Sequence, residues 1–425
     1  MRITLVLAAV CVLLLAVPLA RDLLGGGELP AVPAPATADA AQAARGAYLA
    51  RVGNCDSCHT VPGGAPFAGG RAIETPFGAV HASNLTPHAT GLAGWSADAF
   101  WRALHEGRSR DGRLLYPAFP YTSYTHVTRE DSDALFAYFQ SLPPADQPRR
   151  PHALRFPFDT QLALAAWRAL FFRPGSGAPE PADAARPAEW RRGAYLVRGL
   201  GHCSACHTAR NALGASSERL ALSGGLIPVQ NWYAPALNDE AEAGVAHWRL
   251  EEVEALLRTG VAPRGLAVGP MAEVVFRSTQ YLDDGDLRAM ATFLRALPQQ
   301  PAPAPRAFDP APPAVLQRGA ALYTRHCADC HGAQGQGTPG AFPPLAGNRA
   351  VTMTQPANVL RMILQGGYAP ATAGNPRPHG MPPFTQVLGD EDVAAVASYI
   401  RSAWGHRAAP VGALDVARAR ERRGS

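Results

Sequence analysis

Three short cysteine–histidine motifs carry the residues of this sequence that are equipped for chemistry. Residues 55–59 read CDSCH, residues 203–207 read CSACH and residues 327–331 read CADCH. In a Cys-x-x-Cys-His motif, two thiols one helical turn apart can add across the vinyl groups of a haem, and the following histidine binds the iron as its proximal ligand. The sequence therefore predicts three covalently bound haem c groups. The predicted attachment residues are Cys55, Cys58, Cys203, Cys206, Cys327 and Cys330, and the predicted proximal ligands are His59, His207 and His331.

Other uses of paired cysteines fit this pattern less well. A structural zinc ion takes four ligands, usually from two pairs close together, whereas these pairs lie 148 and 124 residues apart. A thioredoxin-like redox motif would not recur three times with the same following histidine. Cysteines within one helical turn also have poor geometry for a disulfide. The pattern favours haem over all three alternatives.

The remaining cysteine and the N-terminus indicate the compartment. Six of the seven cysteines belong to the motifs, and the seventh, Cys11, lies in the apolar run of residues 1–20. That run follows a basic Arg2 and is typical of a secretory signal or an uncleaved N-terminal anchor. Haem is attached to such motifs outside the bacterial cytoplasm. We therefore expect a protein on the periplasmic side of the inner membrane.

Length and composition set the scale of the fold. A chain of 425 residues is long enough for about three domains, and its hydrophobic content of 47% is sufficient for real cores. The formal charge of +5 is offset by the six propionates that three haems would add. This balance gives no reason to expect a nucleic-acid partner.

A repeat surrounds the three motifs and indicates how they are positioned. Each motif follows a stretch that begins Arg-Gly-Ala, and each repeat closes with a segment whose apolar residues recur at helical spacing. We predict a helix at both ends of every repeat, with an aspartate as the N-cap of the closing helix. The opening segments are residues 45–60, 192–208 and 318–332, and the closing segments are residues 131–143, 284–298 and 390–404.

This layout resembles the cytochrome c fold. In that family the first and last helices cross, with a glycine on one packing against an aromatic residue on the other. The resemblance implies an all-α protein of three tandem cytochrome c domains joined by Pro-rich linkers. The matching pairs here would be Gly46 with Tyr138 or Phe139, Gly193 with Phe293, and Gly319 with Tyr399.

The predicted organisation follows the repeats and the Pro-rich stretches between them. The predicted segments are a signal peptide or anchor at 1–20, a tether at 21–43, cytochrome c domains at 44–173, 191–300 and 314–405, linkers at 174–190 and 301–313, and an Arg-rich tail at 406–425.

Methionine is the usual second axial ligand of an electron-carrying haem and raises its potential. For the third haem we favour Met381, in the stretch HGMPPF, over its rivals Met353 and Met362. For the second haem we favour Met271 over Met290, which lies inside the closing helix.

The first repeat lacks a methionine. The other two repeats predict a ligand near position 119, where the chain has Phe119, which cannot bind iron. The first haem is therefore expected either to be five-coordinate or to take a histidine, with a potential below that of the Met-ligated haems. His126 is the nearest candidate, and the further candidates are His105, His81 and His88.

Further stretches extend the resemblance over residues 44–405. TPFGAVHASNLTP (75–87), LYPAFPYTSY (115–124) and NWYAPALN (231–238), with the motifs above, resemble the three-haem cytochrome c subunit of bacterial membrane-bound alcohol, gluconate, sorbitol, fructose or aldehyde dehydrogenases. In that family the position of Phe119 is commonly Met. This departure resembles the cytochrome subunits that serve molybdenum hydroxylases.

The resemblance implies an electron-transfer subunit that is not an enzyme by itself. A large catalytic dehydrogenase subunit of flavin, quinone-cofactor or molybdenum type would reduce one haem, and the electrons would pass to ubiquinone or a terminal oxidase. Two alternatives stay open: a free multihaem carrier without a fixed partner, and a haem peroxidase that uses the open position of the first haem.

Membrane contact is the remaining expectation. Residues 160–174 form an amphipathic stretch suited either to a bilayer surface or to packing between domains. The Arg-rich segment 416–424 is expected to be a solvated, disordered tail rather than a contact for lipid headgroups. The sequence leaves open the upstream substrate, the order of electron flow and cleavage of the N-terminal segment.

Overall fold

The computed structural model describes residues 17, 19–20, 22–23, 26–31, 39–175, 183–300 and 308–421. The chain forms two compact units, residues 1–205 with 210–216 and residues 206–209 with 217–425. The structure is rich in helix and also contains short strands. The prediction of a helix-rich protein is confirmed, whereas the all-α class is not, because the structure also contains small antiparallel sheets. The division into three domains stays a prediction.

The first unit consists of helices around a small three-stranded antiparallel sheet in the order β1-β2-β3. Its helices are α1 Ala40–Val52, α2 Cys55–His59, α3 Ala97–Glu106, α4 Tyr121–Tyr124, α5 Arg129–Gln140, α6 Gln161–Phe171 and α7 Ala188–Arg198, and its strands are β1 Ala72–Thr75, β2 Gly78–His81 and β3 Ala153–Leu154. In register, Ala72 pairs with His81 and Gly78 pairs with Leu154.

Helices α1 and α5 cross at Gly46. A Cβ atom at Gly46 would lie 2.7 Å from the Cβ of Tyr138 and closer still to the carbonyl oxygen of Ala134. Only glycine allows this approach. The predicted pairing of Gly46 is therefore confirmed for Tyr138, while Phe139 is fully buried in the core beneath.

The second unit contains the remaining elements, and the short helix α8 Ser204–His207 spans the boundary in sequence. Its other helices are α9 Leu250–Thr259, α10 Pro270–Arg277, α11 Asp284–Arg295, α12 Pro313–His326, α13 Ala328–His331, α14 Arg349–Thr352, α15 Ala357–Gln365, α16 Asp390–Ser402 and α17 Ala413–Arg420. Its strands are β4 Gly225–Ile227, β5 Trp232–Ala234, β6 Val261–Ala262, β7 Gly265–Leu266, β8 Gly367–Tyr368 and β9 Gly380–Met381, which form three two-stranded antiparallel sheets.

Helices α12 and α16 repeat the glycine crossing. A Cβ at Gly319 would lie 2.7 Å from the Cβ of Tyr399 and closer to the carbonyl oxygen of Ala395, which confirms that predicted pair. Gly193 and Phe293 fall in different units, and their pairing stays a prediction.

Arg401 on α16 is buried in the core and connects the backbone of other segments of this unit by hydrogen bonds. Its buried guanidinium donates to the carbonyl oxygens of Val351 at 2.6 Å, Met353 at 3.0 Å and Ala409 at 2.9 Å. Burial lowers the pKa of Arg401 to about 10. Buried backbone carbonyls need partners, and this one side chain supplies a donor to those of Val351 and Met353.

The C-terminal segment is ordered through residue 421, so the expected disordered tail is wrong. Helix α17 buries Val416 and Ala419 on the core that α12 and α16 share. Arg420 donates to the carbonyl oxygen of Thr385 at 2.7 Å. The arginines suggested a solvated tail, but the apolar residues between them are spaced to face the core. Residues 422–425 lie outside the described residues.

An aspartate N-cap is found only in the second repeat, at Asp283, one residue before the predicted segment. Asp283 caps α11 by accepting from the N–H of Asp286 at 2.7 Å. Helix α5 is capped by Thr128, and α16 follows Gly389, which has no side chain to cap with. The aspartates of those two helices lie inside the first turn. Their negative charge there interacts favourably with the positive end of the helix dipole.

Part of the predicted tether lies against the first unit. Asp22 accepts from Arg108 at 3.1 Å and from Arg168 at 3.0 Å, and both guanidinium groups are buried. The N–H of Leu29 donates to the carbonyl oxygen of Arg110 at 3.0 Å. Asp39 caps helix α1. Most of residues 1–20, residues 176–182 of the first linker and residues 301–307 of the second lie outside the described residues.

Helix α6 is the amphipathic stretch of the sequence. It buries Leu164, Ala165 and Arg168, while Leu162 and Leu170 are 59% and 55% exposed on its other face. Among the residues that the structure describes, no helix has both the length and the apolar character to span a bilayer.

Candidate haem attachment sites

Each Cys-x-x-Cys-His motif lies at a short helix, namely α2, α8 and α13. The residue before the first motif, Asn54, has φ of 49°, and the residue before the second, His202, has φ of 37°. This left-handed backbone turns the chain sharply into each motif. All six motif cysteines are free thiols in the structure.

The three motif histidines share one orientation. The Nδ1–H of His59 donates to the carbonyl oxygen of Ser83 at 2.7 Å, that of His207 to Pro235 at 2.7 Å, and that of His331 to Pro343 at 2.9 Å. A carbonyl can only accept, so each histidine carries its proton on Nδ1 and leaves Nε2 as the basic nitrogen. Fixing the tautomer in this way is how proteins orient a metal-bound imidazole.

The backbone of each histidine is fixed as well. The carbonyl oxygen of His59 accepts from the N–H of Gly69 at 2.7 Å, that of His207 from Gly224 at 2.8 Å and that of His331 from Gly337 at 2.7 Å. The three glycines have φ between 67° and 81°, a conformation that favours glycine. The same loop closure thus follows every motif.

Thr60 and Thr208, which follow the first two motifs, add another repeated bond. Thr60 Oγ1 accepts from the N–H of Phe67 at 2.9 Å, and Thr208 Oγ1 accepts from the N–H of Leu222 at 3.0 Å. The third motif is followed by Gly332 and has no hydroxyl at this position.

Burial sets the protonation of these groups. It raises the pKa of Cys55 to about 12 and the pKa of Cys327 to about 11, so both stay neutral thiols at ordinary pH. It lowers the pKa of His59 and His207, which favours the neutral imidazole that binds iron. Apolar surroundings suit thiols that end as neutral thioethers.

The donor set fits haem better than a bare metal ion. Within the described residues, no three His, Cys, Asp or Glu side chains come together as a metal-binding group. A structural zinc ion requires four such ligands. An oriented histidine with two adjacent thiols is what covalent haem attachment requires.

Met381 and Met271 are each half-buried. Met381 pairs with Gly367 in the β8–β9 hairpin and packs, with Cys327, against the core cluster of the third repeat. Met271 is the second residue of α10, and this helix begins directly after Gly269, whose φ is 56°. Their role as axial ligands stays a prediction.

The other candidate axial methionines differ in burial and in their neighbours. Met290 and Met353 are buried. Met362 is half-buried on α15, with its Sδ and Cε 3.5 Å from the position of a Cβ at Gly367, so it lies near the hairpin that contains Met381.

Phe119 lies next to the first motif through Tyr124. The two rings pack edge to face at 5.3 Å between centroids. Burial raises the pKa of Tyr124 well above its ordinary value, and the neighbouring Cys55 and Cys58 raise it further. The structure thus places an aromatic pair beside the first attachment cysteines.

The candidate histidines of the first repeat have different surroundings. His126 is half-buried beside Gly175 and Gly199. His105 is buried and stacks on Trp101 at 4.5 Å, and its Nδ1 has no hydrogen-bond partner among the described residues. His81 Nδ1 donates to the carbonyl oxygen of Pro151 at 2.8 Å, and His88 Nδ1 lies 3.0 Å from Thr90 Oγ1. Which of them binds iron stays a prediction.

Comparison with known proteins of similar sequence identifies the family of this chain. The cytochrome c family model matches residues 316–404. The cytochrome c subunit of alcohol dehydrogenase (quinone) from Gluconacetobacter polyoxogenes is 36% identical over 95% of this chain and 88% of that protein. The cytochrome c subunit of gluconate 2-dehydrogenase from Pantoea cypripedii is 37% identical over 89% of both chains.

The chain belongs to this family of dehydrogenase cytochrome c subunits. The predicted family is confirmed, and with it covalent haem c and an electron-transfer role. The cytochrome subunit is also 42% identical to a nicotinate dehydrogenase subunit from Pseudomonas putida, over 85% of this chain but only 30% of that longer protein.

Sequence reasoning did not predict two ion pairs that lie at the glycine helix crossings of the cytochrome subunit. Arg45 Nε donates to the buried carboxylate of Asp131 at 2.9 Å, and Arg318 Nε donates to Asp392 at 2.7 Å. Each arginine directly precedes the crossing glycine of its opening helix. The signal was available, because all three opening segments begin Arg-Gly and all three closing segments begin with aspartates.

Proposed function

We propose that the cytochrome subunit carries three haem c groups and passes electrons from a periplasmic dehydrogenase to ubiquinone or a terminal oxidase. One observation carries the proposal: all three motif histidines donate Nδ1–H to a backbone carbonyl and keep Nε2 available. A chance Cys-x-x-Cys-His sequence would not acquire the same tautomer and the same glycine closure three times.

Haem iron, once bound, supplies a reversible one-electron change. The chain itself contributes position and environment. Its cysteines fix each attachment point, its histidines present Nε2, and the helix crossings at Gly46 and Gly319 hold the attachment segments rigid.

The three sites are proposed to differ on the side opposite the histidine. Met271 and Met381 supply a thioether to the second and third sites. The first site has Phe119 at the corresponding position, and it is either five-coordinate or takes His126 or another histidine of the repeat. Its potential is then the lowest of the three, because it lacks the methionine that raises the potential.

Replacing Phe119 by Met tests this difference between the sites. We expect the wild-type protein to show a Met–iron charge-transfer band equivalent to two haems, and F119M to gain intensity toward three and to raise its lowest potential. Three methionine-ligated haems in the wild type would overturn the assignment of the first site.

The partner is proposed to be a large catalytic dehydrogenase subunit. Relatives whose names include alcohol, gluconate and nicotinate dehydrogenases support this assignment. The departure at Phe119, which resembles the cytochrome subunits that serve molybdenum hydroxylases, favours the molybdenum type over the flavin and quinone-cofactor types. Gentle purification of the tagged chain, followed by identification of the copurifying cofactor, decides among them. Purification without any partner would favour a free carrier.

The proposed location is the periplasmic face of the inner membrane. The exposed leucines of α6, together with Phe156, which is 81% exposed, give the first unit an apolar surface suited to a bilayer interface. L162S and L170S in combination should shift the protein from the membrane to the soluble fraction. No shift would mean that this surface does not bind lipid.

Haem stoichiometry is the decisive test of the proposed function. The haem content of the purified full chain, measured as the pyridine haemochrome against protein mass, should equal three. Replacing both cysteines of one motif by serine should remove one haem, at each motif in turn. A count below three in the wild type would refute the proposal, and rapid peroxide turnover by the purified protein would favour the peroxidase instead.

A further inference from the structure

We infer that His202 couples the first and second attachment segments electronically through a hydrogen bond to Gly53. This inference rests on the proposed function, because it requires haem at the first two motifs. His202 directly precedes Cys203, and Gly53 lies two residues before Cys55. All four residues belong to the first unit.

The contact is a specific one. His202 Nε2 lies 3.3 Å from the carbonyl oxygen of Gly53. Because the carbonyl can only accept, the ring donates its Nε2–H. Tyr124 contacts the same place, since its ring packs edge to face on His202 at 5.7 Å and its hydroxyl lies 3.5 Å from the same oxygen.

Both ends of the bond are held in place. Gly53 is the C-cap of α1, and its N–H donates to the carbonyl oxygen of Leu49 at 2.8 Å. On the other side, the N–H of Cys203 donates to the carbonyl oxygen of Val197 at 3.2 Å. The side chain of Leu200 is fully buried, and its Cδ2 lies 3.4 Å from the position that a Cβ of Gly53 would take.

The backbone of His202 is unusual for a side chain of its size. Its φ of 37° lies in the left-handed region, which costs energy for residues other than glycine. The equivalent residue of the first motif, Asn54, also has a positive φ, and asparagine and histidine are both among the types that adopt this conformation most often after glycine.

Electrons tunnel more readily through bonded atoms than across gaps. The hydrogen bond joins Cys203 to Cys55 through the backbone and ring of His202, the carbonyl of Gly53 and the backbone of Asn54, with one non-covalent step. In the transfer itself, one electron leaves the reduced haem of one segment and enters the oxidised haem of the other. No bond forms or breaks, and the proton stays on Nε2.

The matched pair H202F and H326F tests this. H202F keeps an aromatic ring against Tyr124 but removes the N–H. His326 occupies the same position before the third motif, where its ring packs on Phe384 at 5.9 Å, so H326F makes the same change away from the bridge. The measurement is the rate of electron transfer between the first two haems after flash photoreduction of the full holoprotein by an external photoreductant, with all haem potentials titrated in parallel.

We expect H202F to slow that transfer several-fold with unchanged potentials, and H326F to leave it at the wild-type rate. An unchanged rate in H202F would overturn the inference, as would a slower rate that shifted potentials fully explain. If H202F fails to load three haems, H202N is measured instead, since asparagine accepts the left-handed backbone but is too short to replace the ring. A wild-type haem count below three would defeat the proposed function itself, whereas three haems with an unaffected rate defeat only this inference.

Discussion

Replacing Gly319 by Ala should destabilise the second unit, although alanine is the better helix former. A Cβ at this position would lie 2.7 Å from the Cβ of Tyr399, at least 0.7 Å short of the 3.4 Å at which ordinary contact begins. The other obstacle is the carbonyl oxygen of Ala395, which belongs to the backbone of α16. Neither atom can rotate away, so the two helices must separate.

The magnitude follows from two opposing terms. Alanine gains about 1 kcal/mol over glycine in a helix interior, whereas overpacking a close contact costs about 1–3 kcal/mol or more. Because the blocking atoms are backbone and Cβ, we expect the upper end and a net loss of about 2 kcal/mol. For a unit of about 200 residues this lowers Tm by about 4–8 °C.

The assay is thermal unfolding of the full holoprotein, followed by circular dichroism and by haem absorbance. G285A is the matched control, because Gly285 is exposed on α11 and a Cβ there would meet only the carboxylate of Asp283, at 3.4 Å. We expect G285A to leave Tm unchanged or to raise it slightly. Equal Tm values for the two variants would refute the close crossing at Gly319.

Three further predictions concern buried or half-buried polar groups. D131N should lower the free energy of unfolding, measured in urea, by about 1.5–3 kcal/mol because it breaks charge-assisted hydrogen bonds. D133N, which changes a more exposed ion pair, should lower it by less than about 1 kcal/mol. Equal losses for the two variants would contradict a special role for the buried carboxylate. R401M leaves buried carbonyl oxygens without a hydrogen-bond donor and should lower the free energy of unfolding by about 3 kcal/mol. An unchanged free energy of unfolding would mean that the carbonyls find other partners. Burial and the nearby Arg149 lower the pKa of His152 below its ordinary 6.5, so the folded state binds fewer protons there than the unfolded chain. Stability should therefore fall as the pH drops below about 6.5; H152Q should flatten this fall, and an unchanged slope would refute the assignment.

Much of the local organisation could be predicted from the sequence because it depends on residues close together along the chain. The motif spacing predicted three attachment segments, and the Arg-Gly-Ala repeats predicted the opening helices. Two long-range contacts, Gly46 with Tyr138 and Gly319 with Tyr399, were predicted from the resemblance to the cytochrome c fold, and the structure shows that only glycine permits so close a helix crossing.

Other features were wrong or missed for identifiable reasons. The arginines of 416–424 suggested a solvated tail, but Val416 and Ala419 between them face the core. The N-cap of α5 is Thr128 rather than an aspartate, because several capping residue types precede the helix and the sequence alone does not rank them.

The sequence by itself determined the chemistry: which cysteines and histidines can hold haem, and that they occur three times. Only the tertiary structure decided which carbonyl orients each histidine, because Ser83, Pro235 and Pro343 follow their histidines by different numbers of residues and are brought back by the path of each loop. The bond from His202 to Gly53 joins residues 149 positions apart. The spacing of residues within a motif is fixed by the covalent chain and can be taken from the sequence. A hydrogen bond between distant residues forms only once their segments have packed together.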